Sequence, residues 1–431
     1  MDTPALVVFL LTILGIIFLP MERSLVAFAG LIVMILLSAS YSFVDAFKAI
    51  DWNVMMILLG MWTLSGYLSK SQLPEYIVYE VSRRTHSYAA FLLSLALIAS
   101  FTTLFVDNVL VILLFGGLAV KAAKTVNKDP LTASMIVGLA ANYMGTGLLL
   151  GDLPPQLLHS VAGAEFLDFI WFRNTPGTLF LLTLSFLITL AIFYRPWFGG
   201  AGRQVDIDVE RPKAFDKLTA SLAIGGFAAF VLLASLRPLL GVELGAIAVS
   251  VGIGVAALLE VIRTYGKREV PSFEEVLRDM EWRVFIFYAT LFSLVGGLKK
   301  GGVIDSFSDL IYSSLLAEPT LSFGAVYWLT AALSSFVEHD AVILVALVTV
   351  KEVAQAFSLD PWPFYWAIVW AGTLGSNATI TGAPALYLSL LLAEKERGRT
   401  SWRDWMKITV PFTLVSLTVH FVISLLVMQF W

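Results

Sequence analysis

The sequence predicts an all-α integral membrane protein made of two inverted-topology repeats, each of about five spans with a re-entrant helical hairpin and one discontinuous helix. Three observations carry this expectation. The 431 residues are 58% hydrophobic and only 14% charged, with a mean hydropathy of +0.84, far above the soluble range. Two apolar stretches, 87–124 and 321–357, are broken near their middles by Asp107-Asn108 and by Glu338-His339-Asp340. Finally, the chain matches itself at one offset. Ile50-Asp51-Trp52-Asn53-Val54 pairs with Met280-Glu281-Trp282-Arg283-Val284, and Gly145 with Gly375, at 230 residues; Phe105-Val106-Asp107 pairs with Phe336-Val337-Glu338 at 231.

Runs able to cross about 30 Å of hydrocarbon, roughly 20 residues each, fall near 4–20, 23–40, 52–69, 174–195, 216–236, 242–262, 283–298 and 408–430. The first follows Asp2 without a basic n-region and has no small-x-small cleavage site after it, so it reads as a retained span rather than a signal peptide. Segments 131–163 and 362–393 are also apolar, but they are interrupted by Gly145-Thr146-Gly147 through Gly151-Asp152-Leu153-Pro154-Pro155, and by Gly375-Ser376-Asn377-Ala378-Thr379 through Gly382-Ala383-Pro384. Glycine and proline at that depth predict broken helices, which survive only where the bared backbone lines a cavity or packs on protein.

The resulting division is a first repeat over 1–197, with its hairpin at about 87–124 and its broken helix at about 131–163. A cytoplasmic linker follows at 198–215, then a second repeat over 216–431, with hairpin at about 321–357 and broken helix at about 362–393. Amphipathic segments 73–86 and 303–316 are expected to lie along the interface, where Trp171, Trp197, Trp282 and Trp402 read as anchors. If each hairpin returns to its own side, an odd number of spans inverts the second half. The outer side then keeps only Lys48, Arg173, Arg237, Lys299, Lys300 and Lys351 of the 28 lysines and arginines. That positive-inside bias predicts a multi-pass protein of the plasma (inner) membrane with both termini outside. The absence of cysteine excludes disulfides, zinc–thiolate sites and thiol nucleophiles, and nothing in the charge pattern suggests nucleic-acid binding. No cofactor is expected; the partners are a small solute, a coupling ion and membrane lipid.

Chemistry concentrates in the two hairpin interruptions and the two helix breaks. An ionisable residue at membrane depth costs at least about 2.5–3.5 kcal/mol, so by default it marks a site. Asn108 and Asp340 stand where the second hairpin arms begin, where each could cap bare N–H groups or present a helix N-terminus to a solute. Glu338 and Asp340 flank His339; two carboxylates that close in low dielectric resist ionising together and titrate as a unit, which suits a proton carrier. The alternative for His339 is a hydrogen-bonded structural imidazole, whereas His86, His159 and His420 fall outside the four places. In the first break Asn142, Thr146 and Asp152 supply oxygens, and Gly145 and Gly147 allow close backbone approach. Ser376, Asn377, Thr379 and Thr381 do the same in the second break without charge. Such oxygens suit a hard cation, with sodium placed near Asp107, Asp152 and Asn377. Asp152 could instead cap the half-helix that begins at Pro154-Pro155. No lysine or arginine falls in any of the four motifs, which favours a neutral solute or a cation.

The Phe-Val-Asp-Asn hairpin motif, the Gly151-Asp152-Leu153-Pro154-Pro155 break followed by Ala162-Gly163-Ala164-Glu165-Phe166-Leu167-Asp168-Phe169, and Gly375-Ser376-Asn377-Ala378-Thr379 resemble the ion transporter superfamily. The resemblance covers essentially the whole chain and is closest to the arsenical pump membrane proteins and the melanosomal P protein. It implies an ion-coupled secondary transporter, and possible homodimers. The superfamily also contains sodium/proton antiporters and sodium-coupled dicarboxylate carriers with paired Ser-Asn-Thr signatures. This chain departs from those carriers in its acidic hairpin tips, and from the arsenite branch because Gly382-Ala383-Pro384-Ala385 lacks the asparagine usual after the second break.

The leading expectation is therefore a proton- or sodium-coupled antiporter that expels a small solute such as arsenite or antimonite from a midplane site between the repeats. Asp107, Asp152, Glu338, His339 and Asp340 would carry the coupling ion. Asn108, Asn142, Gly145, Thr146, Gly147, Ser376, Asn377 and Thr379 would meet the solute. A sodium/proton antiporter and a sodium-coupled anion carrier are the alternatives within transport. An intramembrane aspartyl protease built on Asp107 and Asp152 is the enzyme alternative; Leu149 stands where its first glycine is required.

Overall fold

A computed structural model describes residues 2–19, 21–198, 211–212, 214–266, 268–306, 312 and 319–429. Most of the expected linker and most of the second amphipathic segment, 303–316, lie outside the described residues. The first amphipathic segment is the helix Leu73–Arg84.

The spans form as helices Thr3–Phe18, Arg23–Leu37, Trp52–Lys70, Thr178–Phe198, Lys217–Ser235, Leu244–Tyr265, Trp282–Lys300 and Trp402–Met428. Among the described residues, six helices are long and apolar enough to cross a membrane. Each interrupted stretch becomes two helices: Tyr88–Thr102 and Asn108–Thr125 in the first hairpin, Pro319–Phe336 and His339–Phe357 in the second. The 15 residues of Tyr88–Thr102 span about 22 Å at 1.5 Å per residue, short of a full crossing. The second arm of this hairpin has a π-helical turn at Ile112–Gly116, close to its start. The broken helices are Pro130–Met144 with Leu153–Ala162, and Trp362–Ser376 with Pro384–Arg397. Strand structure among the described residues is confined to a two-residue antiparallel pair, Trp171–Phe172 with Thr175–Pro176.

The repeat is visible in local chemistry. Short helices Phe43–Ala49 and Phe273–Arg278 each open on a capping box, Ser42 with Asp45 and Ser272 with Glu275, and each leads into a long helix. At the far ends of those long helices Lys300 reaches back to Asp45 at 2.6 Å, and Lys70 to Asp279 at 2.5 Å. Each long helix thus ends beside the short helix that precedes the other, so Trp52–Lys70 and Trp282–Lys300 run in opposite directions. In both pairs the lysine's hydrogen bond holds the aspartate below the usual carboxylate range.

Two groups of helices result. One contains Thr3–Phe18, Arg23–Leu37, Trp52–Lys70, Lys217–Ser235, Leu244–Tyr265 and Trp282–Lys300, which pack on one another across the repeats. The other contains the hairpins, the broken helices, Thr178–Phe198 and Trp402–Met428. In the first group, Trp52–Lys70 and Leu244–Tyr265 touch backbone to backbone: a Cβ on Gly60 would collide with the Ala248 carbonyl, and one on Gly252 would stand 2.7 Å from the Gly60 oxygen. Small residues permit such close crossings, from which membrane helices draw their packing energy.

Gly60→Val should therefore force these helices apart and lower stability by about 1–3 kcal/mol. Thermal unfolding of purified protein in detergent should record the drop, and Gly225→Val, where no atom lies within 4 Å of an added Cβ, should leave it unchanged.

Candidate functional site

Each hairpin tip packs into the break of its own repeat, and glycines permit the approach. An added Cβ on Gly151 would strike the carbonyl oxygens of Thr103 and Gly145, and one on Gly382 would strike that of Ser334 and stand 2.6 Å from that of Ser376. These contacts are equivalent between the repeats. Gly145 lies against Asp152, where an added Cβ would stand 3.2 Å from the carboxylate, and Gly147 lies against Leu104 of the hairpin.

The tips are capped differently from expectation. Asp107, not Asn108, is the helix cap, and its carboxylate accepts the Val109 N–H at 2.9 Å. In the second hairpin the cap position is Glu338, which makes no capping bond, and the Asp340 carboxylate accepts the Tyr288 hydroxyl at 2.8 Å. The reason is geometric: a carboxylate just before the first helical turn can curl back onto its N–H groups, whereas residues within that turn point sideways into the protein.

The buried Asn108 amide is thereby free to donate to Asn142 Oδ1 at 3.0 Å and to Asp152 Oδ2 at 2.8 Å. Asn142 donates in turn to Asn377 Oδ1 at 2.9 Å and Ser376 Oγ at 3.1 Å, joining the two broken helices. Asp152 both caps, through Leu153 N–H at 2.9 Å, and binds. Thr146 is buried with an unpartnered hydroxyl. Thr379 lies apart from this cluster, donating to the Ser335 carbonyl and contacting Thr381 Oγ1 at 2.9 Å.

His339 sits where the repeats meet. Its Nδ1 lies 3.0 Å from the Gly382 carbonyl, and only a donor suits that partner, so Nδ1 carries a proton and Nε2 faces the carboxylates. Nε2 is 3.4 Å from Asp340 Oδ1 and 3.8 Å from Asp152 Oδ2. Its second carboxylate is therefore Asp152 of the other repeat. Glu338 instead has Arg23 as its ionic partner, at 3.7 Å. Asp152, His339, Asp340 and Tyr288 form a buried carboxylate–imidazole–carboxylate–phenol series. Sequence reasoning missed both Tyr288, a phenol in the middle of an apolar run, and Arg23, at the start of the second apolar run.

Polar contacts among the described residues bridge the two helix groups, the Ser160 hydroxyl to the Asp51 carboxylate and Arg237 to Glu165 among them. Besides Tyr288–Asp340 and Arg23–Glu338, Lys299 pairs with Glu352 at 2.5 Å and Asn53 Nδ2 lies 3.3 Å from His159 Nε2. His159 donates from Nδ1 to the Ala164 carbonyl at 2.7 Å, and Asn53 Oδ1 accepts the Gly245 N–H at 2.6 Å, so His159 Nε2 is the acceptor.

Among the clefts between the groups, two related by the repeat lie at opposite ends of the antiparallel helices. The wider, about 570 Å³, is lined by Asp51, just before Trp52–Lys70, and by the end of Trp282–Lys300, with Lys48, Lys299, Lys300 and Lys351 among its residues. Its repeat-related mate, about 100 Å³, is lined by the opposite helix ends and by Asp107. A smaller cavity of about 10 Å³ is bordered by Asp107 and Asp152. Asn377, expected beside a cation with those two, is not among its lining residues.

Antiparallel repeats, hairpin tips set into broken helices and a buried polar centre between unequal clefts define a multi-pass membrane transporter. The profile described as "Citrate transporter" matches residues 9–371. The chain belongs to that family, within the ion transporter superfamily. It is similar to an uncharacterized transporter of Mycobacterium tuberculosis, at 24% identity over 92% of this chain and 91% of that one. Homo sapiens P protein is 21% identical over 96% of this chain and 58% of its own length. Among solved structures, the YdaH transporter of Alcanivorax borkumensis has the same fold at a TM-score of 0.57, with 14% identity and 99% of each chain covered.

Asn142→Ala should unlink the two broken helices and lower thermal stability by about 1–2 kcal/mol. Thr379→Ala, outside the cluster, should leave solute binding intact where Asn142→Ala abolishes it, as read by equilibrium binding to the purified protein.

Proposed function

We propose that this protein is a proton-coupled secondary transporter that exports a small uncharged hydroxy acid, arsenite or antimonite in the first instance, in exchange for protons. The Asp152–His339–Asp340–Tyr288 series carries the reading. It is buried, it draws on both repeats, and a proton at Nε2 would be shared between carboxylates of opposite halves. Protonation that favours one arrangement of the two helix groups over the other would couple proton movement to access. The unequal clefts support alternating access, with the wider one facing outside if the lysine and arginine bias sets orientation. Asn108, Asn142, Ser376 and Asn377 would exchange their mutual hydrogen bonds for bonds to the solute. The absence of lysine or arginine in that cluster favours an uncharged one.

A second reading, an anion carrier for a carboxylate such as the citrate of the family's description, draws support from the wider cleft. Its four lysines would concentrate anions at the mouth. A sodium/proton antiporter would use the same carboxylates with no other solute.

Flux into proteoliposomes across imposed proton and sodium gradients separates the three. Arsenite-dependent, citrate-dependent or solute-free sodium-dependent pH change picks one, and silence to all three between about pH 5 and 9 overturns the transport reading. Asp340→Asn should abolish pH-driven flux. Asp107→Asn should weaken solute binding more than proton coupling, and Glu338→Gln the reverse; identical defects in both would refute a division of labour between the hairpins.

A further inference from the structure

The half-helix Leu153–Ala162 and the loop after it are fastened to the first helix group at three points: Ser160 donates to the Asp51 carboxylate, Arg237 to Glu165, and Asn53 to His159. Only the last includes an imidazole, whose charge changes between about pH 5 and 8. His159 is buried; its Nδ1 donates to the Ala164 carbonyl and its Nε2 accepts from Asn53 Nδ2 at 3.3 Å. Among the described residues these are the ring's hydrogen-bond partners. A protonated ring would carry N–H at both ends, and Nε2–H would face the Asn53 amino group. Asn53 cannot turn its oxygen to the ring without releasing the Gly245 N–H, which Oδ1 accepts at 2.6 Å. The carboxamide is thus held with its donor toward His159 and fits only the neutral ring. Asp51, Ser160 and Val161 line the wider cleft, which therefore comes within one residue of His159. The half-helix packs against Trp52–Lys70, His339–Phe357 and Trp362–Ser376. The charged groups at this end of those elements and of the adjoining loops have other partners. Lys351 donates to the Val161 carbonyl at 2.6 Å, Glu352 pairs with Lys299, Asp168 accepts the Glu165 N–H at 2.7 Å, and Arg237 holds Glu165. Trp362–Ser376 carries no charge, with Tyr365 its one titratable group.

We infer that His159 and Asn53 form a pH-sensitive latch between the two helix groups. The neutral imidazole accepts from Asn53 and holds the half-helix against the first group; the protonated one loses that bond, sets donor against donor and releases it. The inference rests on reading the two groups as the parts of a transporter that move against each other. The half-helix carries Asp152 at its start, so release at His159 loosens the element that brings one carboxylate to His339. Acid in the wider cleft would thereby shift the balance between arrangements of the groups, through a histidine separate from the one in the central series.

Because the chain has no cysteine, spin labels can be placed at Leu239→Cys and Leu167→Cys, exposed positions on either side of the latch, and their separation read by pulsed dipolar spectroscopy of the full-length protein in detergent. Acidification from about pH 8 to 5 should raise the population of a second, longer distance about fivefold or more. His159→Gln, which cannot take up charge, should remove that response. Asn53→Asp should invert it: a carboxylate oxygen replaces the Nδ2 donor while Oδ1 still accepts from Gly245, so the charged ring becomes the better partner and acid tightens the contact. A folding failure of either variant leaves the other to report. A wild-type distance that does not change with pH, or a response that both variants leave unchanged, overturns the latch. Proton-driven flux in proteoliposomes is read in parallel. Flux without a His159-dependent response removes the latch and leaves the transporter reading standing; a His159-dependent response without flux does the opposite.

Discussion

Where a helix stops inside a membrane, its last carbonyls and the next helix's first N–H groups have no water to turn to, and satisfying them is the constraint on which this structure depends. The chain meets it by setting each hairpin tip into the break of its own repeat. Gly151 and Gly382 let backbone touch backbone, and Asp107 and Asp152 cap the helix starts that follow the interruptions. The same groups then meet one another. Asn108, relieved of capping, ties hairpin to broken helix, and Asn142 ties one broken helix to the other. Structural satisfaction and the candidate site are one set of hydrogen bonds, which is why the candidate solute-binding residues are also among the most buried polar ones.

The two repeats share a backbone plan but not a chemistry. Capping boxes at Ser42 and Ser272 and the exchanged lysine pairs mark the symmetry. At the tips it fails: Asp107 caps its helix and borders a one-water cavity, while Glu338, His339 and Asp340 reach three different partners, Arg23, Gly382 and Tyr288. The clefts are unequal as well, the wider lying beside the end of Trp282–Lys300 and the narrower beside the end of Trp52–Lys70.

The two helix groups are held to each other differently from the way each is held together. Within the first group, glycine-mediated contacts such as Gly60 on Ala248 give dense apolar packing. Between the groups the named polar contacts are mostly pairs in which at least one partner is ionisable: Tyr288–Asp340, Arg23–Glu338, Lys299–Glu352 and Asn53–His159. Contacts of this kind depend on protonation and ion occupancy, whereas glycine packing does not. The fold thus places its chemically responsive bonds at the boundary where relative movement would have to occur. Similarity of fold to YdaH, despite 14% identity, and membership of the citrate transporter family fit that arrangement of the chain.

Composition and one internal offset were enough to determine that the chain is helical, lies in a membrane and repeats itself, because hydrocarbon thickness and backbone satisfaction leave few alternatives. Interrupted apolar runs located both hairpins and both breaks, since glycine, proline and charge at that depth have no cheaper use. The same residues did not show their partners. That Asp107 rather than Asn108 would cap, and that Asp152 rather than Glu338 would share His339 with Asp340, depended on which side chains the turn geometry aimed outward. That Arg23 and Tyr288 would join the centre depended on helices outside the hairpin, with Tyr288 52 residues from Asp340 in sequence and Arg23 more than 300 from Glu338. Local sequence sets periodicity and breaks; only the packing of inverted halves brings residues from opposite repeats within hydrogen-bonding distance.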